Sequence, residues 1–254
     1  MGRVGGTIGR RADIQTDSCG GDRRGVMAHY YDPNDPYLVP PGVIVRDDSP
    51  LERYRAELAY TDWTIGELLQ GLSEAGRMTD TVVVLFGDHG ESFGDHGGMT
   101  HGTSVYDEIV HVPLLFYVPG TRPRQVETVV SLVDIAPTVL ALTGFEGRMK
   151  THQSISRAPA MAGEPLRQRP VYAEGIYKGI QAKWMIIDRD RKLIWDGKNG
   201  FGELYHLGSD PGETRNLINS EPMEAARLKT ALCDGLKMNG RLDVAPSTRE
   251  QLYP

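Results

Sequence analysis

TVVVLFGDHGESFGDHGGMTHGTSVYDEIVHVPLLFYVPG, residues 81–120, decides how this chain is read. The run Thr81 to Phe86 is apolar, β-branched and too short for a helix, and Gly87 bounds it. It reads as a buried strand. Pro113 to Val118 reads as a second, closed by Pro119 and Gly120. The Gly-rich loop between them carries Asp88, His89, Glu91, Asp95, His96, His101, Asp107 and Glu108. In open α/β sheets ligands bind beyond the carboxyl ends of the strands, and Asp88 and His89 sit there.

Asp beside His suits a metal ion, with one hard anionic oxygen and one imidazole nitrogen. Neighbours on an extended strand face opposite ways, so the strand must end at Gly87 or Asp88 for both to reach one ion. Gly87 and Gly90 permit that bend. The donor pair suits Ca²⁺, Mg²⁺, Mn²⁺ or Zn²⁺ and does not choose among them. On these residues alone, a turn in which Asp88 caps a loop stays open.

DHGESFGDHG, HG, YDE and VPLLFYVPG together resemble the sulfatase family of the alkaline-phosphatase-like superfamily. Upstream, HYYDPNDPY and YRAELAYTDWTIGELLQGL resemble sulfatase segments in the same order. Downstream, VSLVDIAPTVLALTG and ELYHLGSDPGETRNL do the same. The resemblance covers roughly residues 27–220 and corresponds to the family's C-terminal half. It implies an α/β/α sandwich, partial here, followed by a smaller antiparallel α+β unit. It implies metal-dependent hydrolysis of a small-molecule or glycan sulfate ester, with Asp88 and His89 as metal ligands and calcium as the favoured ion. His101 matches a family position that contacts the transferred group and the leaving oxygen, a catalytic and substrate-binding role. Asn34 stands where the family has a sulfate-binding His. Asn donates a hydrogen bond but carries no charge and shuttles no proton. Glu91, Asp95 and His96 are expected to orient the site, and His111 to be structural. Asp-His-Gly is shared across the superfamily, so a phosphoester or phosphonate hydrolase is the second reading, and a non-catalytic binding module or fragment the third.

The family's formylglycine arises from Cys or Ser in a Cys-x-Pro-x-Arg stretch. Cys19 is followed by Gly20, Gly21, Asp22 and Arg23 and does not match it. The paired Asp residues of the family's first strand are also missing from the pattern. These departures lead us to expect an N-terminally truncated sulfatase, whose sheet would expose edges and apolar faces.

The 39% apolar content of this 254-residue chain suffices for a core. No apolar run approaches about 18 residues, which argues against a membrane span. A net charge of −6 argues against nucleic acid as the main partner. Two cysteines give no disulfide framework. Residues 1–26 are Gly- and Arg-rich, lack the apolar core of a secretory signal, and read as a non-family, disordered segment. Residues 27–150 read as the partial catalytic domain, 151–169 as a linker and 170–240 as the antiparallel subdomain. Ser49 to Gly76 has the caps and spacing of a long helix, with Ser49 as N-cap, Pro50 at N1 and Glu52 in capping-box position. Its apolar face is expected along Leu51, Tyr54, Leu58, Thr61, Ile65, Leu68, Leu69 and Leu72, with Asp62 solvated. A second helix is expected over Val129–Gly144, kinked or restarted at Pro137. An antiparallel meander is expected over Pro170–Leu207, and a last helix over Glu221–Met238.

Overall fold

The computed structural model describes residues 12–18, 24–102, 104–147, 149, 153–177, 181–197 and 199–238. Cys19 lies outside them. The chain forms two compact units, Met1–Asp80 and Thr81–Pro254.

In the first unit, strands β1 (Ala12–Ser18) and β2 (Arg24–Tyr30) pair antiparallel from Ala12 opposite Tyr30 to Ser18 opposite Arg24. A proline-rich loop leads to helix α1 (Pro50–Glu74). Its start follows the sequence: the Glu52 amide donates to the Ser49 hydroxyl at 3.3 Å, and Pro50 fills the first turn, where no amide is needed. The reciprocal half of the capping box is not made. The Ser49 amide donates to Asp47 at 2.8 Å, and the Glu52 carboxylate turns to Arg55 at 2.6 Å. Gly76, at φ +68°, ends the helix in the left-handed region.

The buried stripe of α1 shares Thr61 with the expected one and departs from it at Leu58. Ala56, Glu57, Thr61 and Thr64 are buried, while Leu58 is 42% exposed. The cause is Glu57, whose Oε1 accepts the Leu38 amide at 2.7 Å. That bond turns this face under the proline-rich loop. The same loop places Tyr37 edge-on to Tyr54, with centroids 5.7 Å apart.

In the second unit, β3 (Val83–Phe86) and β4 (Leu114–Tyr117) pair antiparallel, Phe86 opposite Leu114. They are not the buried strands the sequence leads one to expect. Leu85 and Phe86 are 40% and 43% exposed, and Leu115 and Tyr117 are 55% and 44% exposed. Among the described residues this sheet has two strands, too narrow to be covered on both faces as a wide α/β sheet is. The four-residue helix α2 (Asp107–Val110) precedes β4.

A 3₁₀ turn, Leu132–Asp134, runs into helix α3 (Ile135–Leu142). Pro137 therefore falls in the first turn of α3, where its missing N–H breaks nothing. Asp134 is 1% exposed and binds Arg157 Nε at 2.7 Å, Arg169 Nη2 and the Ile155 amide at 3.0 Å. Thr138, also buried, accepts the Arg157 amide at 2.8 Å. A short helix, α4 (Ala158–Met161), follows. The polar stretch after α3 is thus anchored by ion pairs.

The meander forms as expected. β5 (Val171–Tyr177), β6 (Gln181–Asp188), β7 (Arg191–Asp196) and β8 (Phe201–His206) pair antiparallel in sequence order. Helix α5 (Pro222–Met238) follows. Side chains alternate between faces at period two. Trp184, Ile186, Leu193 and Leu204 pack with Leu228, Leu232 and Leu236 of α5. Met185, Ile187, Ile194 and Tyr205 face the other way and pack with Val105, Tyr106 and Val110. Trp184 stands opposite Trp195. Gly235 lets α5 approach β5, since a Cβ there would lie 2.6 Å from the Tyr172 ring. Among the described residues no helix is long and apolar enough to cross a membrane.

Replacing Asp134 with Ala would leave two guanidinium groups unpaired, one of them buried. The expected loss is about 3–5 kcal/mol of unfolding free energy. Urea unfolding checks it, and a midpoint equal to wild type would refute the anchoring role.

Candidate functional site

The site grows out of the end of β3. The Gly87 amide donates to the Pro113 carbonyl at 3.1 Å, the last bond of the β3–β4 pair. The next residues turn away. The Asp88 side chain is 64% exposed, and its Oδ2 lies 4.0 Å from His89 Nε2. His89 Nδ1 is 2.9 Å from the Gly90 carbonyl. A carbonyl only accepts, so Nδ1 carries a proton. In the neutral ring this leaves the lone pair on Nε2, the nitrogen beside the carboxylate, where a metal can take it.

His101 stacks on His89, with ring centroids 4.1 Å apart and planes 25° from parallel. Its Nδ1 lies 3.0 and 3.2 Å from the two Glu91 oxygens. The Glu91 side chain is 2% exposed. A buried carboxylate thus holds the ring by Nδ1–H and turns Nε2 outward.

The loop is closed from within. Ser92, 1% exposed, sets its hydroxyl between the carbonyls of Asp95 and Gly98, at 3.1 and 2.9 Å. The Gly90 amide donates to the Ile109 carbonyl of α2 at 2.7 Å. A Cβ at residue 90 would lie 2.0 Å from the Glu108 carbonyl oxygen, so only glycine fits.

His96 lies farther along. Its Nδ1 is 3.0 Å from Glu108 Oε1, and its Nε2 is 3.2 Å from the Glu213 carbonyl. Both ring nitrogens face acceptors, which favours the imidazolium form. Burial works against that charge, but Glu108 and the Glu213 carbonyl outweigh it and hold the pKa above the ordinary histidine value. The ring stacks on Tyr106 at 3.9 Å. The hydroxyls of Tyr106 and Tyr205 both donate to Glu203, at 2.6 and 2.7 Å. Burial first, and this carboxylate second, push both phenols well above their usual range.

Behind α2 stands Lys192 of β7, with a fully buried side chain. Its Nζ lies 2.9 Å from Asp107 Oδ1 and 2.8 Å from Glu213 Oε1, the second contact off the hydrogen-bonding axis. Glu213 Oε2 accepts the Asp107 amide at 2.6 Å. Burial pushes the Glu213 carboxyl up, and Lys192 offsets this only in part.

Of the residues singled out in the sequence, Asp88, His89 and His101 come together. Asn34 belongs to the first unit, where its amide donates to the Asp32 carbonyl at 2.8 Å. Exposed His111 meets Asp107 Oδ2 at 3.3 Å. Glu91 and His96 have orienting partners. Lys192, Glu203 and Glu213 carry no sequence label. The signal for Lys192 was its period-two register with Ile194, which puts a lysine at an inward position. Among the described residues no group of three or more His, Cys, Asp or Glu could hold a metal ion. Asp88 and His89 fit a cation as two of its ligands: oxygen and nitrogen 4.0 Å apart can share an ion about 2.1–2.5 Å from each.

The family model described as Sulfatase matches residues 12–145, more than half of the chain. Zebrafish (Danio rerio) arylsulfatase K is 34% identical over 180 residues, covering 66% of this chain and 34% of its own length. The chain thus spans about a third of that relative. The structure of BT4656 in complex with its substrate D-glucosamine-2-N,6-O-disulfate superposes with a TM-score of 0.67 at 24% identity, over 78% of this chain and 43% of that one, a likeness of fold. Phosphonate monoester hydrolase of Agrobacterium radiobacter superposes with a TM-score of 0.61 at 26% identity, over 76% and 41%.

The raised pKa of His96 has a definite sign. Its contribution to stability is fully present below about pH 6.5, the unfolded value, and is lost as pH rises through the higher folded value. The gap in unfolding midpoint between wild type and His96→Gln should therefore narrow as pH rises from about 6 to 9. A gap constant across that range would refute the imidazolium assignment.

Proposed function

The chain belongs to the sulfatase family, and from that membership we propose that it serves the hydrolysis of sulfate monoesters of small molecules or glycans. One observation carries the proposal: His89 Nε2 lies beside the Asp88 carboxylate, with the Glu91–His101 pair stacked alongside. Asp88 and His89 would hold a divalent cation, calcium by family resemblance, with Mg²⁺, Mn²⁺ and Zn²⁺ compatible with the donor set. Such a cation, when bound, acts as a Lewis acid on an ester oxygen.

The remaining chemistry belongs to side chains. Glu91 fixes the His101 ring through Nδ1–H. His101 Nε2 is then the atom that delivers a proton to the departing alkoxide. The buried position of Glu91 keeps that carboxylate out of competition for the cation. The sequence contains no Cys-x-Pro-x-Arg stretch, and the attacking group is assigned to no residue described here.

The similarity to a phosphonate monoester hydrolase supports a second reading, in which the ester is a phosphonate or phosphate. The Asp-His pair serves either anion. Turnover of an aryl sulfate against an aryl phosphonate monoester separates the two.

Calorimetric titration with Ca²⁺ and Mn²⁺ tests the metal role. Wild type should bind, and Asp88→Ala and His89→Ala should not; equal binding by all three refutes it. His101→Ala should lower kcat by about 10²–10⁴-fold on an alkyl sulfate. The loss should be smaller on 4-nitrophenyl sulfate, whose leaving group needs little protonation. Equal losses on both would remove the proton-donor role.

A further inference from the structure

We infer that Lys192, far along the sequence from the Asp88-His89 pair, is a positioning residue that fixes the pair's geometry through α2; the inference deepens the metal-site reading and rests on it. The path is short and made of direct contacts. Buried Lys192 Nζ binds Asp107 Oδ1 at 2.9 Å and Glu213 Oε1 at 2.8 Å. Glu213 Oε2 takes the Asp107 amide at 2.6 Å. The first residue of α2 is therefore held at both its backbone and its side chain by one ion-pair cluster on the meander. The helix it begins supplies the two carbonyls that confine Gly90. Ile109 accepts the Gly90 amide at 2.7 Å, and Glu108 stands where a Cβ would be. The Gly90 carbonyl in turn sets the tautomer of His89.

A buried lysine facing two carboxylates is an expensive way to join a sheet to a four-residue helix. Apolar contacts of similar volume would stabilise as well or better. What the charges add is direction: Nζ must point between two fixed oxygens, which sets the place of α2 along and around the strand. Tyr106, stacked on His96, and the Val105 contact add packing to the same element. The result is a rigid support behind a metal-binding turn that is itself exposed, in the manner of outer-sphere groups that orient metal ligands.

The test compares full chains of wild type and Lys192→Met, by imidazole ¹⁵N NMR at about pH 8.5, where an ordinary histidine is neutral. Wild-type His89 should show protonated Nδ1 and bare Nε2. In the variant, with dispersed amide signals proving it folded, His89 should move toward the Nε2–H form that free imidazole favours. Asp107→Asn, in a half-buried position, is the second variant and should shift His89 the same way if Lys192→Met does not fold. Loss of stability with an unmoved His89 tautomer in a folded variant overturns the inference and leaves Lys192 a bridge within the core. Mn²⁺ separates this from the metal reading. It should broaden the wild-type His89 signals, and bind about 10–100-fold more weakly to the variants. If Mn²⁺ leaves wild-type His89 untouched, the metal reading fails, while the tautomer comparison still decides the role of Lys192.

Discussion

A lysine ammonium with no solvent exposure must meet negative charge, or it does not stay charged. Lys192 meets two carboxylates, and both belong to segments that would otherwise be loops. Asp107 starts a helix too short to stand alone, and Glu213 sits in a turn at φ +50°, a backbone region a glutamate adopts only when its surroundings dictate it. The turn is drawn tight by Asp210, which accepts the Thr214 and Arg215 amides at 3.1 and 2.9 Å. Remove the ammonium and two acids are left facing each other in a site made for three charges. The core on either side is apolar and would tolerate repacking. This one contact would not.

The meander therefore has two roles, one on each face. Toward α5 it is an ordinary hydrophobic layer, with fully buried Leu193, Leu204, Leu228 and Leu232. Toward α2 it alternates apolar residues with Lys192, Glu203 and Tyr205, and these hold the loop that bears the conspicuous histidines. A subdomain that supplies no expected ligand is thus bonded to the segment next to the Asp-His turn.

The sequence made some of this legible and hid the rest for physical reasons. Helix α1 announced itself through Ser49, Pro50 and Gly76 because caps are local chemistry. Its buried face was legible only in part, at Thr61; buried Glu57 finds an amide nineteen residues back, which no periodicity shows. The meander was legible because its strands alternate and its turns are short. The burial of β3 and β4 was misread because apolar composition reports what a strand could bury, and neighbours decide what it does bury. Asp88, His89 and His101 were visible as a motif. Their second partners were only partly so: Glu91 lies in the same loop, whereas Lys192 and Glu213 arrive from distances along the chain at which spacing carries no information.

The doubly bonded His96 has a consequence for the folding reaction as a whole. Its two nitrogens face a carboxylate and a carbonyl, so the ordered ring keeps a hydrogen ion that the same ring in a disordered chain gives up near neutrality. At neutral pH this ring's share of the folding reaction is an uptake of hydrogen ion from the medium. Its apparent heat includes the ionisation enthalpy of whichever buffer supplies that ion, and two buffers at one pH would assign the same molecule different enthalpies.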